Sequence, residues 1–211
     1  DVTLAEITGK DINVIATTGD HQLGGKDWDD ALIRYIAERF EAEYGVDPLD
    51  DIAAYHDLRQ KCVSAKLSLT RRPQVKLFFD HGGKILRQEV TQALFEELTS
   101  GLLNRCEALT RDVLEDAKVE ADSIDVVLLA GGSTRMPMVR QLVKRLFGRA
   151  AATDINPDEC VAMGAALTAA LESARLAGEA PPVDIRTHDV TSHSLGMVVF
   201  KQEALKNSQI I

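Results

Sequence analysis

The sequence predicts an α/β fold, in which strands alternate with amphipathic helices along the chain. A continuous apolar run at 125–130 has the composition of a strand buried on both faces. It is followed by Gly131-Gly132-Ser133 and by a helical pattern after Pro137, which is the order strand, turn, helix. Paired β-rich runs at the beginning of the chain supply further strands.

The first elements are a hairpin and a long helix. Two β-rich runs, 2–7 and 12–17, are joined by a short connection containing Gly9, which is typical of a hairpin. Next comes an amphipathic helix that Asp27 can cap, because apolar residues recur at helical spacing. These residues are Trp28, Leu32, Tyr35, Ile36 and Phe40.

A second helix is predicted over about 49–67, followed by a hairpin of 75–79 and 84–87. From 88 to 117 the pattern is helical again, with a break near Ser100. Residues 26–100 therefore have the pattern of a small α+β insert.

The remaining elements are predicted from the glycine turn onward. One helix follows Pro137, and another begins at Asn156-Pro157-Asp158-Glu159, with Val161, Ala165 and either Leu167 or Ala169 on its apolar face. The stretch 176–194 has the proline, glycine and charge content of a linker, and 194–200 resembles a new strand.

Composition excludes several classes of protein. The chain has 211 residues, with 24 Lys and Arg against 33 Asp and Glu, and a net charge of −9 argues against a surface built for nucleic acid. Three cysteines at spacings that match no metal motif are interpreted as reduced core thiols. The apolar runs are too short for a membrane span, so we expect no membrane association. The chain begins and stops within strand-like patterns, and we expect it to be part of a longer protein.

The most specific local signal for chemistry is the turn at 131–135. Glycines let a ligand approach the backbone, and a helix N-terminus presents free N–H groups to anions. The spacing is neither a P-loop nor a dinucleotide fingerprint, and a simple tight turn capped by Ser133 is an open alternative. The glycine turn formed by 19–20 and 23–25 favours a structural crossover over a phosphate cradle. Lys66, four residues before Thr70 at the end of a helix, is interpreted as a solvated residue or a partner of the helix dipole.

Several segments, taken in order, resemble the DnaK-type 70-kDa heat-shock chaperones. The resemblance covers about 1–170, and the run Gly131 to Pro137 followed by Asn156-Pro157-Asp158-Glu159 is its most specific part. The matching segments are 1–7, 18–29, 65–69, 128–137 and 155–166.

The resemblance implies the second lobe of an actin-like, ribonuclease-H-like ATPase domain. Its inner α/β subdomain would comprise 1–25 and 101–172, and its smaller outer α+β subdomain 26–100. The interdomain linker would be 173–194, and 195–211 would be the first strands of a β-rich peptide-binding domain. The family's catalytic residues would precede Asp1, so the chain by itself is predicted to hold no catalytic residue and to be inactive as an ATPase.

The resemblance also implies the site residues. Lys66 and Thr70 match ribose and adenine contacts, Asp158 lies beside the adenine pocket, and Asp1 matches a carboxylate near Mg²⁺. The positions that match contacts to the adenosine and the nearby phosphate are Gly131, Gly132, Ser133, Thr134 and Arg135. The chain departs from the family at Val63, where a ribose-binding Glu is usual, and at Leu67, where many members have Arg.

The function implied is that of a cytoplasmic, ATP-dependent chaperone that assists protein folding and uses ATP/ADP and Mg²⁺. Its partners would be unfolded peptides, a J-domain co-chaperone and a nucleotide exchange factor, with no nucleic acid and no membrane. An actin-like filament protein and a sugar kinase of the same fold are the alternatives. The segment Asn156-Pro157-Asp158-Glu159 and the strand after the linker favour the chaperone.

Overall fold

The computed structural model describes residues 1–191 and the backbone of two short segments beyond them, 198–199 and 209–210. The chain begins with strands β1 (Val2–Thr8) and β2 (Asp11–Thr18), which pair in antiparallel fashion as predicted. Gly9 takes the left-handed backbone conformation in the turn between them, at φ 63°. The predicted hairpin is confirmed.

Helix α1 (Gly25–Tyr44) follows and ends at Gly45, whose φ of 70° is the left-handed conformation that favours glycine. The prediction that Asp27 caps this helix is wrong, since Gly24 is the N-cap. Asp27 instead lies in the first turn, where its Oδ2 accepts the Gly24 N–H at 2.7 Å. Helix α2 (Ile52–Leu69) starts a few residues later than predicted, because Asp51 caps it and a 3₁₀ turn, Pro48–Asp50, precedes it.

Strands β3 (Gln74–His81) and β4 (Lys84–Thr91) form the second predicted hairpin, which turns at Gly82 and Gly83. Both glycines have positive φ, 59° and 75°, as a two-residue hairpin turn requires. The helical prediction for 88–91 is wrong, because these residues continue β4. Burial there alternates with a period of two, with Leu86 and Val90 on the covered face.

Helices α3 (Gln92–Leu98) and α4 (Ser100–Ala117) are separated at the break predicted near Ser100. The buried side chains of α1, α2, α3 and the β3–β4 hairpin form one apolar core. Nearly all of this core lies within 26–100, the segment predicted as an α+β insert. Its most deeply buried large residues include Leu32, Ile36, Phe40, Leu58 and Phe79.

The apolar run 125–130 does not form the predicted buried strand. Val126 and Leu128 are 60% and 58% exposed, and among the described residues no strand runs beside them. The carbonyl of Val127 accepts from Ala152 N at 2.8 Å, but one such bond does not make a strand. Helix α5 (Pro137–Phe147) confirms the helix predicted after Pro137 and ends at Gly148.

Helix α6 (Cys160–Ala177) begins four residues after Asn156, where the helix was predicted to start. Its predicted apolar face is exposed within the described part of the chain, with Val161 70% and Leu167 37% accessible. Contrary to the expectation from the apolar runs, α6 is long and apolar enough to cross a membrane by length and composition. A single helix of this kind is weak evidence for a membrane protein, because helices of soluble proteins meet the same test.

The predicted linker, 173–194, contains regular structure within its described part. Helix α6 extends into it as far as Ala177, and strand β5 (Arg186–His188) pairs parallel to β2. Of the strand predicted at 194–200, the structure describes β6 (Val198–Val199), which pairs with β7 (Gln209–Ile210). The rest of that prediction lies outside the described residues. The mixture of helices and strands agrees with the α/β class.

Candidate functional site

Lys66, in the last turn of α2, reaches across to the first turn of α1. Its Nζ donates a hydrogen bond to the Gly25 carbonyl at 2.8 Å and lies 2.8 Å from Oδ1 of Asp29. The two charged side chains are only 13% and 11% exposed. Lys66 is therefore not the solvated helix end that its position suggests, because its ammonium is held in place by α1.

Gly25 brings two of the predicted site residues together. A Cβ at this position would lie 2.9 Å from Ser133 Oγ and 3.5 Å from Lys66 Nζ. The absence of a side chain thus lets a hydroxyl and an ammonium both come close to the Gly25 backbone. Sequence reasoning missed Gly25 as a site residue. The doubled glycine before a helix was its only local signal.

The loop that carries Ser133 is shaped by its glycines. Gly131 has φ 88° and ψ 152°, a conformation that is essentially confined to glycine, and its N–H donates to the Pro157 carbonyl at 2.6 Å. The Thr134 hydroxyl donates to the Gly131 carbonyl at 2.6 Å and closes the 3₁₀ turn Gly132–Arg135. Thr134 thus holds the loop in shape, whereas Ser133 faces Gly25.

Arg135 and Asp158, both predicted site residues, form an ion pair. The side chains are 37% and 49% exposed, so the pair lies at the surface. Asn156 supports it, since its Oδ1 accepts from Asp158 N at 3.1 Å and lies 3.5 Å from Arg135 Nη2. Gly132 adjoins the same group, because a Cβ there would lie 3.7 Å from Asp158 Oδ1. The structure therefore brings Gly131 to Arg135 and Asp158 together.

Thr70 lies one helical turn beyond Lys66 and ends α2. Its Oγ1 donates to the Leu67 carbonyl at 2.7 Å, and the lone pairs of this oxygen can still accept hydrogen bonds. Leu67 is 60% exposed and presents an apolar surface next to it. Val63 is partly buried one turn before Lys66, and its apolar side chain cannot form a hydrogen bond.

Asp1 lies apart from this cluster in the contacts that the structure describes. Its carboxylate packs against Gly19, where a Cβ would approach Oδ1 to 2.0 Å. Asp20, which follows Gly19 in the chain, forms an ion pair with Arg105, and its carboxylate accepts the Gln22 N–H at 2.8 Å. These two contacts, the backbone one foremost, lower the pKa of Asp20. Within the described ranges, no group of three or more His, Cys, Asp or Glu residues could hold a metal ion.

Comparison with known proteins assigns the chain to a family. A family model described as "Hsp70 protein" matches residues 1–209. The chain therefore belongs to the Hsp70 family, and the predicted resemblance is confirmed. Membership in this family implies the actin-like ATPase fold. The observed mixture of helices and strands is consistent with that fold.

Curated relatives support the same assignment. The chaperone protein DnaK of Halobacterium salinarum is 40% identical over an alignment of 220 residues, gaps included, which covers 100% of this chain and 34% of the relative. The chaperone protein dnaK of Thalassiosira pseudonana is 40% identical over 203 residues, covering 93% of this chain and 33% of the relative. The DnaK of Thermosipho melanesiensis is 38% identical over 207 residues, covering 94% of this chain and 34% of the relative. The chain thus spans about a third of the length of the curated relatives it matches.

Proposed function

We propose that the chain carries the adenosine-side half of the ATP site of an ATP-dependent chaperone that assists protein folding. The observation that carries this proposal is the meeting of Lys66 Nζ and Ser133 Oγ at the side-chain-free position Gly25. Two segments more than 60 residues apart in sequence supply hydrogen-bond donors to one space, as recognition of a polar ligand requires.

Each residue of the cluster has a role in this proposal. Lys66 and Ser133 donate hydrogen bonds to the ribose and to nearby phosphate oxygens, and Gly131 and Gly132 let the ligand approach the backbone. Thr70 accepts from the base, which packs on Leu67. ATP, when bound, supplies the phosphoanhydride bond whose hydrolysis the whole protein would use.

Arg135 contributes positive charge, and Asp158 holds its guanidinium beside the loop. The chain provides one candidate for Mg²⁺, the carboxylate of Asp1. A single carboxylate is compatible with this ion, which takes most of its ligands from water and phosphate oxygens.

The proposal extends to a protein of the length of the matched relatives, of which this chain would span about a third. It would be a cytoplasmic chaperone whose partners are unfolded peptides, a J-domain co-chaperone and a nucleotide exchange factor. Residues 1–25 and 101–172 would form the inner subdomain, 26–100 the outer one, 173–194 the linker and 195–211 the start of the peptide-binding domain. Family membership favours this function over a filament protein or a sugar kinase.

The test is a pair of glycine substitutions with the same chemical change. Gly25→Ala places a methyl group against Ser133 and Lys66, whereas Gly101→Ala places one where nothing lies within 4 Å. We expect Gly25→Ala to weaken adenosine binding at least tenfold, measured by calorimetry or NMR titration. Gly101→Ala should bind like the unaltered chain. Equal affinity of both variants would place the ligand elsewhere and would contradict the proposal.

The same titrations distinguish half a site from a whole one. With only the adenosine side present, adenosine and ATP should bind with similar affinities, weaker than about 0.1 mM. The isolated chain should show no ATPase activity. A preference for ATP of more than about a hundredfold would mean that the phosphate site is complete in this chain.

A further inference from the structure

A groove with a volume of 670 Å³ runs along the outer side of 26–100, away from the cluster at Gly25. One wall is the exposed face of α2 from Asp57 to Ser68, and the other is β3 from Gln74 to Phe78. Five consecutive residues of a strand can line one groove only along its edge, because their side chains alternate between the two faces. The groove therefore follows the backbone edge of β3.

That edge has unused hydrogen-bonding groups. Gln92 N donates to the Pro73 carbonyl at 2.9 Å, and bonding in an antiparallel pair alternates from residue to residue. Residues 75, 77 and 79 consequently bond to β4, whereas Gln74, Lys76 and Phe78 direct their N–H and C=O groups toward the groove. In the described part of the chain β3 pairs only with β4, and none of these outward groups has a backbone or side-chain partner.

The dimensions and the α2 wall suit an added strand. Five residues of β3 span about 16 Å, and the facing residues of α2 span about the same length. In the C-terminal part of that wall lie Ser64, Ala65 and Ser68, whose small side chains leave room for the side chains of a third strand. An extended segment would thus find backbone partners on one side and free space on the other.

The charges of the groove indicate what kind of segment it takes. Lys61 is paired with Asp57 at 2.7 Å, but Arg72 and Lys76 have no acidic partner among the described residues. The unpaired charge is therefore positive in a chain whose net charge is −9. A second copy of this acidic chain is a poorer match for the groove than an acidic segment of another protein.

We propose that the free edge of β3 and the adjoining face of α2 bind an extended, acidic peptide segment of another protein, which adds a third strand to the β3–β4 sheet. Backbone hydrogen bonds to residues 74–78 give the affinity, and Arg72 and Lys76 select acidic side chains. The proposal is independent of nucleotide binding, since none of the groove residues belongs to the cluster at Gly25.

The test uses a fluorescein-labelled peptide of eight residues in which valine and glutamate alternate, with fluorescence anisotropy as the readout. Two peptides are matched controls, one with lysine in place of glutamate and one with two valines replaced by proline. On the unaltered chain we expect both changes to weaken binding at least tenfold, the first through charge and the second through lost strand pairing. Equal binding of the proline peptide would overturn the proposal.

Two substitutions at one position separate charge from backbone pairing. Lys76→Gln removes only the charge, whereas Lys76→Pro also removes an N–H that points away from β4, a position where an edge strand tolerates proline. We expect Lys76→Pro to bind the acidic peptide at least tenfold more weakly than Lys76→Gln. The same affinity for both variants, with their thermal melts unchanged, would contradict strand addition.

Sedimentation of the chain without peptide tests whether a second copy occupies the groove. A dimer that forms in the unaltered chain and is lost in Lys76→Pro would identify the second copy as the occupant and would also overturn the proposal.

Discussion

Lys66 and Asp29 form an ion pair that ties the end of α2 to the beginning of α1, with Nζ 2.8 Å from Oδ1 and both side chains nearly covered. Lys66 also donates to the Gly25 carbonyl, so its ammonium has a fixed direction. Asp29 is therefore a positioning residue for Lys66, although nothing in its own sequence neighbourhood indicates that role. A covered pair of this kind adds little net stability, but the loss of one partner is costly.

Asp29→Asn should therefore destabilise the chain by about 2 kcal/mol, because the covered Lys66 ammonium loses its negative partner and keeps only neutral acceptors. Urea unfolding followed by circular dichroism measures this change. The matched control is Asp57→Asn, which breaks the more exposed Asp57–Lys61 pair and should cost about 0.5 kcal/mol or less. Equal effects of the two substitutions would show that the Lys66–Asp29 pair is no more important than a surface pair.

Gly131→Ala should lower the free energy of unfolding by about 1 to 3 kcal/mol, because a φ of 88° is strained for any residue with a Cβ. Gly101→Ala, within α4, should instead be neutral or stabilising by up to about 1 kcal/mol. Thermal or urea melts of the two variants make the comparison. If Gly131→Ala proved as stable as Gly101→Ala, the loop would not need the backbone conformation described here.

Cys62 should be unreactive while the chain is folded. Burial raises the pKa of its thiol to about 12, so at pH 8 it has about a thousandfold less thiolate than a thiol with a pKa of 9. In a Cys106→Ser/Cys160→Ser variant, reaction with Ellman's reagent should follow urea unfolding. A Cys62→Ser/Cys106→Ser variant, which keeps only the partly exposed Cys160, should react without denaturant. Rapid reaction of Cys62 in the folded chain would contradict its burial.

Glu107 should make the chain sensitive to acid. Hydrogen bonds from Arg111 and then Arg145 lower the pKa of Glu107, and Arg145 lies on α5 whereas Glu107 lies on α4. A carboxyl with a lowered pKa contributes stability above its ordinary value of 4.5, and this contribution is lost as the pH falls below that value.

Urea unfolding at pH 7 and pH 3.5 should accordingly show a smaller loss of stability in Glu107→Gln than in the unaltered chain. Glu41→Gln is the comparison, since Glu41 is exposed on α1 and forms no ion pair within the described part of the chain. We expect Glu41→Gln to lose as much stability at pH 3.5 as the unaltered chain. An unchanged acid response in Glu107→Gln would mean that the α4–α5 bridge has no energetic role.

Elements whose patterns are local were predictable from the sequence. The β3–β4 hairpin was predictable because the Gly82-Gly83 turn and a period of two are both visible in adjacent residues, and α1 because its apolar residues recur at helical spacing. The family motif likewise identified Ser133, Arg135 and Asp158 as residues of one site, and the structure does place the last two in contact. Asp29 and Gly25 were not predicted as site residues, because their roles depend on partners about 40 or more positions away.

The sequence by itself determined the α/β class, the two hairpins, the main helices and the family of this chain. Tertiary structure decided which apolar surfaces are covered and which polar groups meet. Val126 and Val161 illustrate the first point, because their runs have the composition of buried elements and yet both are exposed in the described chain. Lys66 illustrates the second. Burial and ion pairing require a partner surface, and a local pattern of residues specifies one side of that contact only.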